Sequence, residues 1–166
     1  MISRINLIFV TFLGVGYIKF APGTFASLFA SILFFCLFNY FISITSFYFL
    51  CIFMLIIFIY SLYAIKNVEN KFEKKDANQI VIDEVIGQSI PIFLIEYVVY
   101  LQSQSFGSDF YLYLLSFLLF RFFDILKPFP ISYFYKNFKN SFGVLFDDVL
   151  AGIYSLSIVL LVIKFF

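Results

Sequence analysis

The chain has 166 residues, 63% of them apolar and 13% charged, where an ordinary soluble domain carries roughly 45–50% and 25%. With a mean hydropathy of +1.03, this composition excludes a water-soluble globule and points to a single membrane-embedded domain over residues 1–166. Eleven basic and ten acidic residues leave a net charge of +1, so no global field calls for a nucleic-acid partner.

The opening apolar stretch, Ile5 to Val15, is too short to span and is cut by Gly14 and Gly16. No A-x-A-like site follows it, so it is expected to be interfacial or re-entrant and not a cleaved leader. In APGTFAS, Ala21 to Ser27, Pro22 and Gly23 are expected to turn the chain and Thr24 to cap the first span. A helix start of that kind offers backbone N–H groups to an anion, although an ordinary cap is the plainer reading of this motif alone.

Thr24–Ile42 and Phe47–Ile65 are uncharged stretches near the roughly 20 residues that a bilayer core requires. Only the break Ser43 to Ser46 lies between them, which predicts a helical hairpin. Cys36 and Cys51 fall inside these apolar runs with no metal-ligand spacing and are expected as buried small hydrophobes outside any disulfide. Lys66 to Gln79 is the most polar segment, predicted to be a helix that leaves the bilayer and separates the two halves. Its Glu69 and Glu73 alternate with lysines as on a solvated face.

Val85–Leu101 is a third span, interrupted by Gln88, Pro91 and Glu96 and expected to be kinked and packed inside the bundle. Phe110–Phe123 is a fourth, stopped by KPFP at Lys127 to Pro130, and Val149–Phe166 a fifth. The predicted fold is therefore an all-α polytopic helix bundle of about four to five spans, with Gly87 and Gly152 as packing glycines. In this arrangement Arg4, Lys19, Lys66, Lys71, Lys74, Lys75, Arg121, Lys127, Lys136 and Lys139 share one side and only Lys164 lies opposite. The positive-inside rule makes that shared side cytoplasmic and puts the loop Gln102 to Asp109 outside.

Asp83, Glu84, Asp124, Asp147 and Asp148 all fall at the cytoplasmic ends of spans, delivered by three separate segments. A carboxylate there needs water, a cation or a donor, so five of them predict a shared acidic pocket at the cytoplasmic face; acids that simply mark an interface are the blander alternative. The chain has no histidine, no G-x-S-x-G elbow and no cysteine in an aqueous position, which removes those nucleophiles. Carboxylates without imidazole or thiolate select magnesium or manganese, and magnesium commonly bridges to phosphate. In RFFDILKP, Arg121, Asp124 and Lys127 follow one another at i, i+3 and i+6 on one helical face. Either Asp124 holds a metal while Arg121 and Lys127 clamp phosphate, or the three form ion pairs and interfacial anchors.

The segments APGTFAS, DANQIVIDEVIG, FRFFDILKPFPI and FGVLFDDVLAG, in that order and spacing, resemble the phosphatidylglycerophosphatase A family. Its IVxDExxG, FRxxDxxKPxPI and GxxxDDxxAG elements match Ile80 to Gly87, Phe120 to Ile131 and Gly143 to Gly152. Ala26, Asn140 and Ser141 stand where the family pattern often has glycine. The resemblance implies Mg2+-dependent removal of the terminal phosphate of phosphatidylglycerophosphate at the cytoplasmic leaflet of a bacterial inner membrane. It implies Asp83, Glu84, Asp124, Asp147 and Asp148 as metal ligands or acid/base groups, with Arg121 and Lys127 on phosphate. Asp76 is a weaker acidic candidate, and Glu96 and Asp109 have no motif counterpart. The expected partner is a phospholipid substrate, with oligomeric state left open. Two rival readings are a divalent-cation transporter or channel, lined by intramembrane acids, and a CDP-alcohol phosphatidyltransferase, whose long D-G-x-x-A-R spacing is missing here.

Overall fold

The computed structural model describes residues 2–40, 43–68, 72, 78–103, 107, 109–138 and 140–165. Among them the chain is all-helical: α1 (Ile2–Val10), a single 3-10 turn (Val15–Tyr17), α2 (Pro22–Tyr40), α3 (Ile44–Val68), α4 (Ile82–Ser103), α5 (Phe110–Leu126), α6 (Ile131–Asn137) and α7 (Ser141–Phe165). Four of these, α2, α3, α4 and α7, are long and apolar enough to cross a membrane. At 17 residues, α5 stands at the lower limit of about 17 for a span. With nine residues, α1 is too short to span and lies against α3, where the Tyr60 hydroxyl donates to Asn6 Oδ1 at 2.6 Å.

Helix α4 is the centre of the bundle, packed on α7, α2 and α5. Its polar positions explain this placement. Gln88 and Glu96 are fully buried, as are the neighbouring Ile92 and Ile95, because polar groups in a lipid-embedded helix are stabilised where other helices satisfy them. Pro91 lies inside α4, which continues through it as one helix. By contrast α3 sits at the rim and turns Phe49, Ile52, Phe53 and Ile56 outward, the i, i+3, i+4, i+7 stripe of a lipid-facing surface.

The predicted hairpin of the first two spans closes only near its turn, where the Phe38 and Phe47 rings lie 6.0 Å apart. Consecutive as they are, α2 and α3 do not pack along their lengths. Phe93 of α4 packs on both, with ring centroids 5.1 Å from Phe34, 5.4 Å from Phe38 and 6.0 Å from Phe47. Chain connectivity does not say which face finds which neighbour: α2 buries its small stripe of Gly23, Ala26, Ser27, Ala30 and Ser31 and packs on α4, with Phe25, Phe29, Ile32 and Leu33 turned outward. For the same reason Cys36 is exposed on α2 and Cys51 partly exposed on α3, both free thiols and not the buried residues expected.

Two helices begin earlier than their apolar runs. Asp83 and Glu84 lie in the first turn of α4, and α7 starts at Ser141, so Asp147 and Asp148 are helical residues within it. The expected helix over Lys66 to Gln79 lies largely outside the described residues, as does Asp76; α3 itself runs on to Val68.

Candidate active site

The starts of α2, α4 and α7 and the end of α5 meet at one end of the bundle, and the acids converge there. Carboxylate oxygens of Asp83, Glu84 and Asp148 lie within 4.8 Å of one another. Asp83 and Asp148 are buried. Asp83 Oδ1 accepts the Glu84 backbone N–H at 3.2 Å, which holds the Asp83 carboxylate at the helix start. Glu84 Oε1 rests on the α-carbon of Gly23 in the first turn of α2, where a Cβ would overlap it.

That first turn differs from the expected one. The helix takes in Pro22 and Gly23, and the Phe25 N–H bonds to the Ala21 carbonyl at 3.2 Å. Thr24 therefore lies inside the turn and is not its cap. Proline suits the first helical position because its missing N–H would have had no partner there.

Asp124 and Asp147 belong to a second, cation-bearing part of the cluster. Arg121 Nη1 lies 2.8 Å from Asp124 Oδ2 within α5. Lys127 is the left-handed C-cap of α5 at φ 42°, its N–H bonded to the Phe123 carbonyl. That conformation stops the helix as the KPFP motif predicts, and it lets Lys127 Nζ reach Asp147 Oδ2 directly and come within 3.7 Å of Asp124 Oδ1. Burial works against the Lys127 ammonium, but the carboxylates of Asp147, Asp148 and Asp124 outweigh it and hold its pKa above the ordinary lysine value. Asp148 interacts electrostatically with all four other acids, so the two parts form one cluster.

Five carboxylates against two cations leave an excess of negative charge in a largely buried place. Glu84 Oε2 is buried with no hydrogen-bond partner among the described residues. An all-oxygen donor set with an unspent buried carboxylate atom fits a hard divalent cation. Arg121 Nε is likewise buried without an acceptor, a donor free for an anionic ligand beside the carboxylates.

Three neighbours of this cluster carry little signal in the sequence. Gly23 reads there as a turn residue, yet its missing side chain makes room for Glu84. Gln88 reads as an interruption of a span; one turn beyond Glu84 it is fully buried and donates to Ser116 Oγ at 3.0 Å. Its i+4 spacing from Glu84 was the available signal. Tyr135 of α6 places its ring centroid 4.1 Å from Lys127 Nζ. Glu96 stands apart from the cluster, about 20 Å along α4 from Asp83 at 1.5 Å per residue, where it accepts from the Tyr113 hydroxyl at 2.7 Å and the Gly107 N–H at 2.8 Å.

Comparison with known proteins agrees with this geometry. The family model described as Phosphatidylglycerophosphatase A matches residues 8–163. A phosphatidylglycerophosphatase A of Haemophilus influenzae is 36% identical over 159 residues, covering 96% of this chain and 88% of that protein. A Bacteroides thetaiotaomicron protein with the provisional name phosphatidylinositol-3-phosphatase is 32% identical over 155 residues, 92% of this chain and 90% of its own length. The phosphatidylglycerophosphatase A of Escherichia coli is 31% identical over 83 residues, half of this chain and 42% of that protein. No solved structure matches the chain. A family match over nearly the whole sequence, with the matched acids gathered at one end of the bundle, makes this chain a member of the phosphatidylglycerophosphatase A family.

Proposed function

We propose that this chain is a Mg2+-dependent lipid phosphatase that hydrolyses phosphatidylglycerophosphate to phosphatidylglycerol and inorganic phosphate. The observation that carries the reading is the meeting of Asp83, Glu84 and Asp148 within 4.8 Å, beside Arg121 and Lys127, in a chain matched to the family over residues 8–163. Asp83, Glu84 and Asp148 would hold the metal, with Asp124 and Asp147 completing the acidic wall. When bound, Mg2+ supplies a Lewis acid that draws charge from the phosphoryl oxygens.

The residues of the chain divide the remaining work. Lys127 and Arg121 bind phosphoryl oxygens, Arg121 through the Nε that no described residue engages. Thr24 and the first-turn N–H groups of α2 add a positive helix end beside Glu84. A carboxylate of the Asp147–Asp148 pair takes the proton of the attacking water. As oxygen bonds to phosphorus and the bond to the glycerol oxygen breaks, that proton is returned to the leaving oxygen. The acyl chains remain in lipid throughout. Basic residues at the same end, Lys19, Lys66 and Lys136 among them, support a site facing the cytoplasm from a bacterial inner membrane.

The relative named for phosphatidylinositol 3-phosphate favours one second reading, the same hydrolysis on an inositol phosphomonoester. Detergent-solubilised protein is assayed for phosphate release from both lipids, with and without Mg2+, for the native chain and Asp148→Asn. Release from phosphatidylglycerophosphate that requires Mg2+ and disappears in Asp148→Asn is the expected result. Faster release from the inositol lipid moves the assignment to that substrate. No release from either by folded protein, together with cation flux into liposomes, replaces the phosphatase by a transporter.

A further inference from the structure

We propose that Tyr135 is a positioning residue for Lys127, its ring holding the ammonium against the acid cluster so that the charge faces a substrate phosphate and not the surrounding lipid headgroups. The inference rests on the phosphatase reading above and assigns a role to a residue outside the three matched motifs. Lysine at the end of a membrane helix ordinarily extends along its flexible stem toward water and headgroups. Here the ammonium is enclosed from three helices: Asp147 of α7 bonds it directly, Asp124 of α5 lies 3.7 Å away, and the Tyr135 ring of α6 lies 4.1 Å away by its centroid. The acids attract the charge, and the ring, through its negative face, closes a further side of it.

The turn that brings Tyr135 there is well fixed. Ile131, at the start of α6, is fully buried against Phe120 and Ala151. The Tyr154 hydroxyl donates to the Phe129 carbonyl at 3.1 Å. Further along α6, the ring of Phe134 packs 4.8 Å from that of Phe146 on α7. Held by α5 and α7 together, α6 presents Tyr135 to the ammonium from a rigid support, which is what a positioning contact requires. Tyr135 is exposed, at 45%, so burial of the ring gives a weaker reason for its placement than the ammonium does.

The test replaces Tyr135 by Phe, by phenylalanines of increasing ring fluorination, and by Leu. Two quantities are read: kcat and KM for Mg2+-dependent phosphate release, and the acylation rate of Lys127 by a water-soluble amine reagent, followed at that residue by mass spectrometry without substrate. The proposal expects Phe to preserve both. Fluorination should raise KM and the Lys127 acylation rate step by step, and Leu should raise KM about fivefold with a smaller change in kcat. KM and Lys127 reactivity that ignore fluorination, or a Leu variant equal to the native protein in both, overturn it. If Leu does not fold, the fluorinated series decides, since those rings keep the shape of phenylalanine. If the native chain releases no phosphate yet Lys127 reactivity follows the series, the phosphatase reading fails and the positioning contact stands.

Discussion

Gly87 of α4 and Asp148 of α7 meet backbone to backbone: a Cβ added to Gly87 would lie 2.7 Å from the Asp148 carbonyl oxygen. One turn further along α7, a Cβ on Gly152 would overlap the Gly87 carbonyl. These two glycines set the distance between the helices that carry Asp83 with Glu84 and Asp147 with Asp148. Interlocked backbones cannot give way as a side chain can. Gly152→Ala is therefore expected to destabilise the bundle by about 2–3 kcal/mol and to lower phosphate release at least tenfold. Unfolding in mixed detergent micelles and the phosphate assay check the two effects, and an alanine variant normal in both would show that the helices tolerate wider spacing.

Gly23→Ala separates local geometry from stability. The atom in its way is the far end of the Glu84 side chain, which can swing aside at little cost. Alanine also favours the helix by roughly 0.5–1 kcal/mol over glycine. Stability should hold or rise slightly while the Mg2+ concentration for half-maximal release increases several-fold, because Glu84 is displaced from Asp83 and Asp148. A magnesium titration beside an unfolding curve measures both, and an unchanged half-point would remove Glu84 from the metal site.

The membrane class and the acid-bearing motifs are legible in the sequence because they depend on residue type and short spacing. IVIDEVIG and FDDVLAG announce small residues one turn after acids, and the structure uses them for close approach. What the sequence does not reveal is which helices touch. On α2 the small residues Gly23, Ala26, Ser27, Ala30 and Ser31 mark the buried face, but such a stripe does not name the helix that covers it. Helix starts are displaced for a related reason: a search for uncharged runs ends at Asp83 and Asp148, whereas the backbone continues helical past them. The division of the acids between Asp83, Glu84 and Asp148 on one side and the Lys127 ion pairs on the other arises because α7 packs on both α4 and α5, pairings that no spacing in the sequence specifies.

The opposite half of α4 should contribute to stability without touching catalysis. Glu96 is fully buried and accepts hydrogen bonds from Tyr113 and the Gly107 N–H. Tyr113→Phe removes one donor and leaves a buried carboxylate less well satisfied, at a cost of about 1–2 kcal/mol. Unfolding should shift by that amount while kcat and KM for phosphate release stay at their native values. A large loss of activity in folded Tyr113→Phe protein would connect this end of the bundle to the acid cluster.

Lys127 and Asp147 should behave as a coupled pair. Asp147 is buried and bonded to Lys127, which is itself largely enclosed. Replacing Lys127 by Met leaves a buried carboxylate without its cation, a loss on the order of 3 kcal/mol. Asp147→Asn removes the matching negative charge, so the double variant should recover part of that stability. The interaction energy from the four unfolding measurements is then well above the few tenths expected for independent sites. Activity follows a different rule: both single variants lose phosphate release and the double variant does not regain it, because the cation facing phosphate is gone in Lys127→Met whether or not Asp147 is neutral. Recovery of activity together with stability would mean that Lys127 serves only to neutralise Asp147, and the phosphate contact would have to be reassigned to Arg121.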